Sequence, residues 1–144
     1  MNRIPTLKSA MTPFPWWIGI DEPLLVAREM MQAHKVRHLP VKSQGQLVSV
    51  ISDRDIKFAL DPELGLPPRE SMRVRDVCVF TPYIVDIETR LDVVVETMAE
   101  RRIGSAIVTR EGKLVGIFTS ADACRAFGRL LREMRGDTLD PVIA

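Results

Sequence analysis

The sequence predicts a mixed α/β (α+β) fold in which two β-α-β-β-α repeats pack about a pseudo-two-fold axis. Three observations carry this prediction. The chain repeats itself at an offset of 67 residues. Both copies run through strand-like and helix-like periodicity in the same order. One unit of about 55–60 residues would bury only about 60% of its surface and be marginal alone, so two units should share a core. The composition agrees: 144 residues, 46% hydrophobic and 27% charged, suit one compact globular domain or two very small ones.

The offset aligns residues 14–60 with 81–127 without a gap. Identical pairs include Pro15/Pro82, Ile20/Ile87, Leu24/Leu91, Glu29/Glu96, Met31/Met98, Val41/Val108, Gly45/Gly112, Leu47/Leu114, Val48/Val115 and Asp55/Asp122. Each copy opens with a short extended run, Trp16 to Ile20 or Tyr83 to Ile87. The acidic, turn-like starts Asp21-Glu22-Pro23 and Glu88-Thr89 suit helix N-termini. They predict helices over residues 22–34 and 89–101, with Leu24, Ala27, Met30 and Met31, or Leu91, Val94, Val95 and Met98, at helical spacing. Two strands joined by a turn follow, His38 to Lys42 with Leu47 to Ile51, and Ser105 to Thr109 with Leu114 to Phe118; the turns fall at Gly45 and Gly112. A second helix opens at Ser52 or Thr119. Three prolines and a glycine mark residues 61–69 as connecting chain. The expected division is repeat 1 at 8–60, linker at 61–73, repeat 2 at 74–131, and a helix end and tail at 132–144.

Charge and motifs narrow the function. Twenty Lys and Arg against 19 Asp and Glu leave a net charge of +1, which argues against a general nucleic-acid binder. No run approaches the roughly 18–20 apolar residues of a membrane span, and the N-terminus lacks a signal-peptide core. Two cysteines without C-x-x-C spacing point to free thiols and a cytoplasmic protein. Nucleotide-loop, zinc-protease and serine-hydrolase signatures are missing, so no catalytic residue is expected and the chain reads as a non-enzyme. His34 and His38 have metal-like spacing but straddle a helix-to-strand turn without companion ligands, so no metal is expected.

These residues resemble a known family, the tandem CBS-domain pair or Bateman module, here as a stand-alone chain. The resemblance lies in Met11-Thr12-Pro13-Phe14-Pro15, Asp21-Glu22-Pro23-Leu24, Arg37-His38-Leu39-Pro40-Val41 and Leu47-Val48-Ser49-Val50-Ile51-Ser52-Asp53-Arg54-Asp55. The second copy contributes Val74-Arg75-Asp76-Val77, Ile103-Gly104-Ser105-Ala106-Ile107-Val108 and Leu114-Val115-Gly116-Ile117-Phe118-Thr119-Ser120-Ala121-Asp122. It covers about residues 8–131. Three places depart from the family pattern: Ser49 for the usual Gly, Cys78-Val79 for Met-Thr, and the bulky Trp16-Trp17.

The sharpest chemistry lies in Ser52-x-x-Asp55 and Thr119-x-x-Asp122. A hydroxyl and free N–H groups at a helix start can hold a phosphate, and a carboxylate one turn on can accept from a ribose diol. The same residues make an ordinary helix cap, and the two roles are compatible. The resemblance implies that Arg37 and His38 approach nucleotide phosphates; they also suit a solvated cation pair. Gly104, Ser105 and Ala106 hold the matching place in the second copy, where small side chains would let an adenine lie against the backbone. The expected grooves are therefore unequal. Trp17 is a candidate stacking face, although adjacent aromatics on a strand usually point opposite ways, one into the core. Ile18, Ile84, Val85 and Arg54 complete the candidate ligand-binding set. Phe127, Leu130, Leu131 and Met134 form an apolar helix stripe, and Arg125, Arg129, Arg132 and Arg135 a basic one. The first reads as a packing face, within the chain or on another subunit; the second as a solvated face or a clamp for an acidic partner.

The expected function is a regulatory ligand-sensing module. It would bind AMP, ADP, ATP, S-adenosylmethionine or NAD in clefts between the repeats, with no required cofactor. By family analogy it would form a homodimer and act on an unidentified regulated protein, without membrane or nucleic-acid contact. The alternative is a structural dimerisation scaffold with unoccupied clefts, towards which Ser49, the tryptophans and the uncharged second groove lean.

Overall fold

The computed structural model describes residues 3–13, 15–64 and 71–136. Its elements are β1 (Thr12–Pro13), β2 (Ile18–Gly19), α1 (Leu24–His34), β3 (His38–Ser43), β4 (Gln46–Ser52), α2 (Asp53–Ala59), β5 (Ile84–Asp86), α3 (Leu91–Arg101), β6 (Ser105–Arg110), β7 (Lys113–Thr119) and α4 (Ser120–Arg135), with single 3-10 turns at Leu7–Ser9, Pro62–Leu64 and Val74–Asp76. Two small mixed sheets result, in the orders β2-β3-β4 and β1-β7-β6-β5. The lead strand of each repeat runs parallel to the first hairpin strand, and the hairpin itself is antiparallel.

Local sequence accounts for both copies at once. The hairpin turns Gln44-Gly45 and Glu111-Gly112 have positive φ at both central residues, the mirror-image turn whose twist suits a two-residue loop. Each hairpin then carries a register shift at the same place, between Val41 and Lys42 and between Val108 and Thr109. Helices α1 and α3 both stop at a left-handed residue, Lys35 and Arg102, each at φ 55°. Leu24, Ala27 and Met31 of α1, and Val94 and Met98 of α3, face the core.

Both first helices begin two residues later than the sequence pattern suggests. Pro23 and Arg90 are extended N-cap residues, so Asp21 and Glu22 lie before α1, whose first turn holds no acid. Asp21 instead ties down the approach to the second repeat: its carboxylate takes Arg75 at 2.9 Å and its carbonyl accepts from Arg73.

That approach segment shows how the two halves are joined. The stretch before each repeat packs on the other repeat. Leu7 and Ala10 are buried in the core of β5–α4, whereas Met72, Val74 and Cys78 are buried in the core of β2–α2. The backbone follows suit. The Leu91 amide donates to the Pro5 carbonyl at 2.8 Å and the Leu7 amide to the Thr89 carbonyl at 3.0 Å. At the equivalent places, the Leu24 amide donates to Met72 at 2.9 Å and the Val74 amide to Glu22 at 3.0 Å. β1 adds antiparallel to β7 through Thr12 and Ile117, as Val79 bridges Val50 on β4. Met72, in the stretch expected as linker, is thus core; residues 65–70 of that stretch and 137–144 of the expected tail lie outside the described residues.

Ser49 and Gly116 face these exchanged segments. A Cβ on Gly116 would stand 2.5 Å from Met11 Sδ and 3.1 Å from the Thr12 carbonyl, so β1 crosses a residue that must be small. On the other side Ser49 is fully buried, and its hydroxyl donates to the Val79 carbonyl. The departure at Ser49 therefore adds a bond between the halves.

α4 outruns its counterpart α2 and buries only Asp122. Phe127, Leu130, Leu131 and Met134 are exposed, so the expected packing face has no cover within the described residues. No helix of the described residues is long and apolar enough to cross a membrane. Cys78 and Cys124 are free thiols, buried and exposed respectively.

Two stability predictions follow from the exchange. Leu7→Ala should cost about 2–5 kcal/mol by urea unfolding, and the transition should stay single because the second core unfolds with the first; a cost under about 1 kcal/mol would contradict the buried role of Leu7. Gly116→Ser should lose roughly 1–3 kcal/mol through the clash with the Thr12 backbone, whereas Ser49→Gly should lose less. Equal losses at the two sites would refute this account of the crossing.

Candidate ligand-binding site

The two strand-to-helix junctions are capping boxes. At the first, the Asp55 amide donates to Ser52 Oγ and the Ser52 amide to Asp55 Oδ2, each at 3.1 Å. At the second, the Thr119 amide donates to Asp122 Oδ2 at 2.9 Å and the Asp122 amide to Thr119 Oγ1 at 3.4 Å. Geometry alone makes both carboxylates helix starters. Their remaining oxygens differ. Asp55, half-buried, has no further hydrogen bond among the described residues. Asp122 is buried, and its Oδ1 takes Arg125 at 2.6 Å and the Thr12 hydroxyl at 3.2 Å. With Thr119 Oγ1 also 3.2 Å from Oδ2, the Asp122 carboxylate is filled to its usual capacity. Thr12 and Arg125 were not in the expected set; the offset pairs Arg125 with Phe58, so nothing in the first copy signals it.

The cationic segment of the first copy and the small-residue segment of the second meet across the repeat boundary. His38 opens β3 and reaches the second repeat, its Nε2 lying 3.3 Å from where a Gly104 Cβ would stand; Ser120 Oγ is 3.8 Å from the same point. His38 and Gly104 are therefore neighbours across the repeat boundary, and a side chain at Gly104 would crowd the imidazole. The pairing is symmetric: His38 lies opposite Ser52, as Ser105 lies opposite Thr119. The Arg37 and Gly104 carbonyls receive the first amides of α2 and α4 at 2.8 and 3.1 Å. Burial lowers the His38 pKa below its ordinary 6.5; Asp55 opposes the shift, Arg37 adds to it and Asp53 opposes it. Arg37 and Arg54 are exposed.

The remaining candidates are placed less favourably for side-chain contact. Ile18, Val85, Ser105 and Ala106 are buried, and Ile84 is exposed. Neither tryptophan enters the core: Trp16 is 53% and Trp17 48% exposed. Each has one face covered instead. Trp16 stacks on His34 with centroids 3.6 Å apart, and Lys42 Nζ sits 4.5 Å over Trp17. The second copy repeats the first of these contacts at the same offset, with Arg101 5.1 Å over Tyr83. Among the described residues no three His, Cys, Asp or Glu side chains are grouped to hold a metal.

Two clefts flank α4. One, about 460 Å³, runs between α4 and the Ser9–Pro13 segment and includes Asp122, Arg125, Arg129 and Arg132. The other, about 860 Å³, lies among the N-terminal segment, α3 and α4, and is lined by apolar groups such as Ile4, Leu91, Val95, Ala126 and Leu130.

Comparison with known proteins identifies the architecture. The family model described as "CBS domain" matches twice, at residues 7–62 and 74–129. A CBS domain-containing protein of Dictyostelium discoideum is 29% identical over 126 residues, covering 81% of this chain and 86% of that protein. An inosine-5'-monophosphate dehydrogenase of Thermoplasma acidophilum is 30% identical over 105 residues, covering 73% of this chain but only 20% of the dehydrogenase. The chain thus spans about a fifth of that enzyme's length. Among solved structures, CBSX2 in complex with AMP superposes with a TM-score of 0.74 at 27% identity, covering 88% of this chain and 98% of that one. With two matches in tandem and a fold shared with solved relatives, this chain belongs to the CBS domain family and carries the domain as a pair.

Proposed function

We propose that the chain is a regulatory module that binds an adenosine-containing ligand in the grooves between its repeats. The ligand class is AMP, ADP, ATP or a relative such as S-adenosylmethionine or NAD. Asp55 carries the reading: a half-buried carboxylate at a helix start, with one oxygen free of hydrogen bonds among the described residues and a histidine from the neighbouring strand beside it. A ribose diol can donate both its hydrogens to such a group. Ser52 and the α2 amides then border the sugar, and Arg37 and His38 meet the phosphates. Gly104, with the backbone of Ser105 and Ala106, borders the purine. The buried Ile18 and Val85 shape the floor, with Trp17, Ile84 and Arg54 at the rim. Asp122 and Thr119 form the equivalent acceptor in the second groove, where Arg125 must first release the carboxylate. The likeness to a family member complexed with AMP supports this ligand class.

Binding at a boundary made from both repeats would be read out as a change in how repeats or copies pack, because a ligand acts only through different affinity for two arrangements. The exposed Phe127, Leu130, Leu131 and Met134 support a homodimer built on α4. The module would be cytoplasmic, non-enzymatic and free of membrane and nucleic-acid contact, and would act on a regulated protein. The competing reading, a dimerisation scaffold with empty grooves, rests on the capping boxes needing no ligand.

Thermal unfolding separates the two. A ligand at 100 times its dissociation constant should add about 2.7 kcal/mol, roughly 5–10 °C here, and Asp55→Ala should abolish that gain. If AMP, ADP, ATP, S-adenosylmethionine and NAD all leave the midpoint unchanged, and Asp55→Ala costs only a cap's roughly 0.5–2 kcal/mol, the scaffold reading replaces this one.

His38 sets a pH dependence. Its folded pKa lies below the unfolded 6.5, so its contribution is complete above pH 6.5 and is lost as pH falls through the folded value. Without ligand, stability should therefore decline below pH 6.5, and His38→Gln should flatten that part of the urea-midpoint profile. A phosphate at His38 favours the imidazolium, so ligand-induced stabilisation should grow on acidification in the wild type more than in His38→Gln. Parallel profiles for the two proteins would remove His38 from the site.

A further inference from the structure

The arginines of α4 are exposed, and three of them line a concavity. Arg125, Arg129 and Arg132 share one wall of the 460 Å³ cleft whose other wall is the Ser9–Pro13 segment. Between them Gly128 leaves that wall open, since nothing lies within 4 Å of where its Cβ would stand. Arg125 is paired with Asp122, whose carboxylate is already filled. Arg129 and Arg132 make no hydrogen bond or ion pair among the described residues. Glu133 lines the neighbouring apolar cleft and forms no ion pair among the described residues. Two guanidinium groups without an ion-pair partner among the described residues therefore face one cleft, where an anion would offset their mutual repulsion.

We infer that this cleft is a binding site for a chain of two or more phosphates. The guanidinium fork matches phosphate oxygens in pairs, which makes arginine better suited to this task than lysine. Arg125 and Arg132, seven positions apart, are separated by about 10 Å of helix at 1.5 Å per residue, a run that suits a linear polyphosphate better than a single phosphate. Such an anion also competes with Asp122 for Arg125, so its binding loosens the pair that closes the Asp122 carboxylate. The chemistry is shared by free polyphosphate and by the phosphate tail of a nucleotide. Recognition here depends on phosphate charge and does not require the adenosine reading of Asp55 to hold.

The test is calorimetric titration of the full chain with inorganic tripolyphosphate, ATP and AMP. Comparison proteins are Arg129→Gln/Arg132→Gln and a charge-matched control, Arg28→Gln/Arg110→Gln, made at exposed arginines elsewhere. Thermal midpoints of all three establish that they are folded. Tripolyphosphate should bind the wild type and weaken at least about tenfold in the cleft variant, with the control retaining wild-type affinity. ATP binding tighter than tripolyphosphate, and losing its advantage over AMP in the cleft variant, would identify a nucleotide tail as the source. ATP and tripolyphosphate binding alike, with AMP silent, would identify free polyphosphate and would remove AMP and ATP from the adenosine reading while leaving this site intact. Absence of tripolyphosphate binding at millimolar concentration, or an equal loss in the control variant, would overturn the inference.

Discussion

The structure depends on an exchange. Each repeat lends the segment before it to the core of the other, so that Leu7 completes the packing of one sheet and Val74 that of its partner. Fully burying one such side chain is worth about 1.5–3 kcal/mol, and here that gain is available only when both halves are folded together. A unit too small to be stable alone is thereby made conditional on its twin. The same exchange builds the site. Thr12 reaches Asp122 because β1 belongs by sequence to the first repeat and by hydrogen bonding to the second. Each groove wall is therefore assembled from both copies.

Much of this was legible from one register. The offset of 67 residues carried both hairpins, both mirror-image turns and both capping boxes, since these are local features dictated by glycine, by β-branched runs and by a hydroxyl three residues before an acid. The exchange was not legible. No periodicity marks Leu7 or Val74 as core, and nothing local says which half either would join. The offset does extend to this pair, since Leu7 and Val74 are 67 apart, and that signal lay just before the aligned stretch. The start of α1 is misplaced because Asp21 and Glu22 look like first-turn acids; both precede the helix, where Arg73 and Arg75 hold Asp21 and the Val74 amide donates to the Glu22 carbonyl.

The candidate site was legible in its carboxylates and not in their surroundings. Sequence separates Arg37 and His38 from Gly104 by two-thirds of a hundred residues and by a repeat boundary, whereas the fold sets His38 against Gly104. Equivalent positions of a two-fold object meet near its axis, so a residue there is best paired with its own counterpart in the other copy. That rule pairs His38 with Ser105 and Arg37 with Gly104, one residue away from the contact that the fold makes. It would not have found Arg125, whose counterpart Phe58 is an exposed aromatic on a shorter helix.

Duplicated architecture with unequal linings has a mechanical consequence. Core positions are constrained alike in both copies, so Val41 and Val108, or Met31 and Met98, stay matched. Groove positions carry no such constraint, and the two carboxylates have diverged in state: Asp55 keeps an open oxygen, whereas Asp122 is closed by Arg125 and Thr12. A ligand at the first meets a ready acceptor, while one at the second must displace an ion pair that spans the first turn of α4 and a hydrogen bond to the exchanged segment. Under the proposed function, occupying the second groove would therefore perturb β1, and with it the segment that completes the opposite core, in a way that occupying the first would not. On the proposed reading, unequal grooves on an interlocked frame would give the two sites different leverage over the same packing, which is the kind of leverage a sensing module requires.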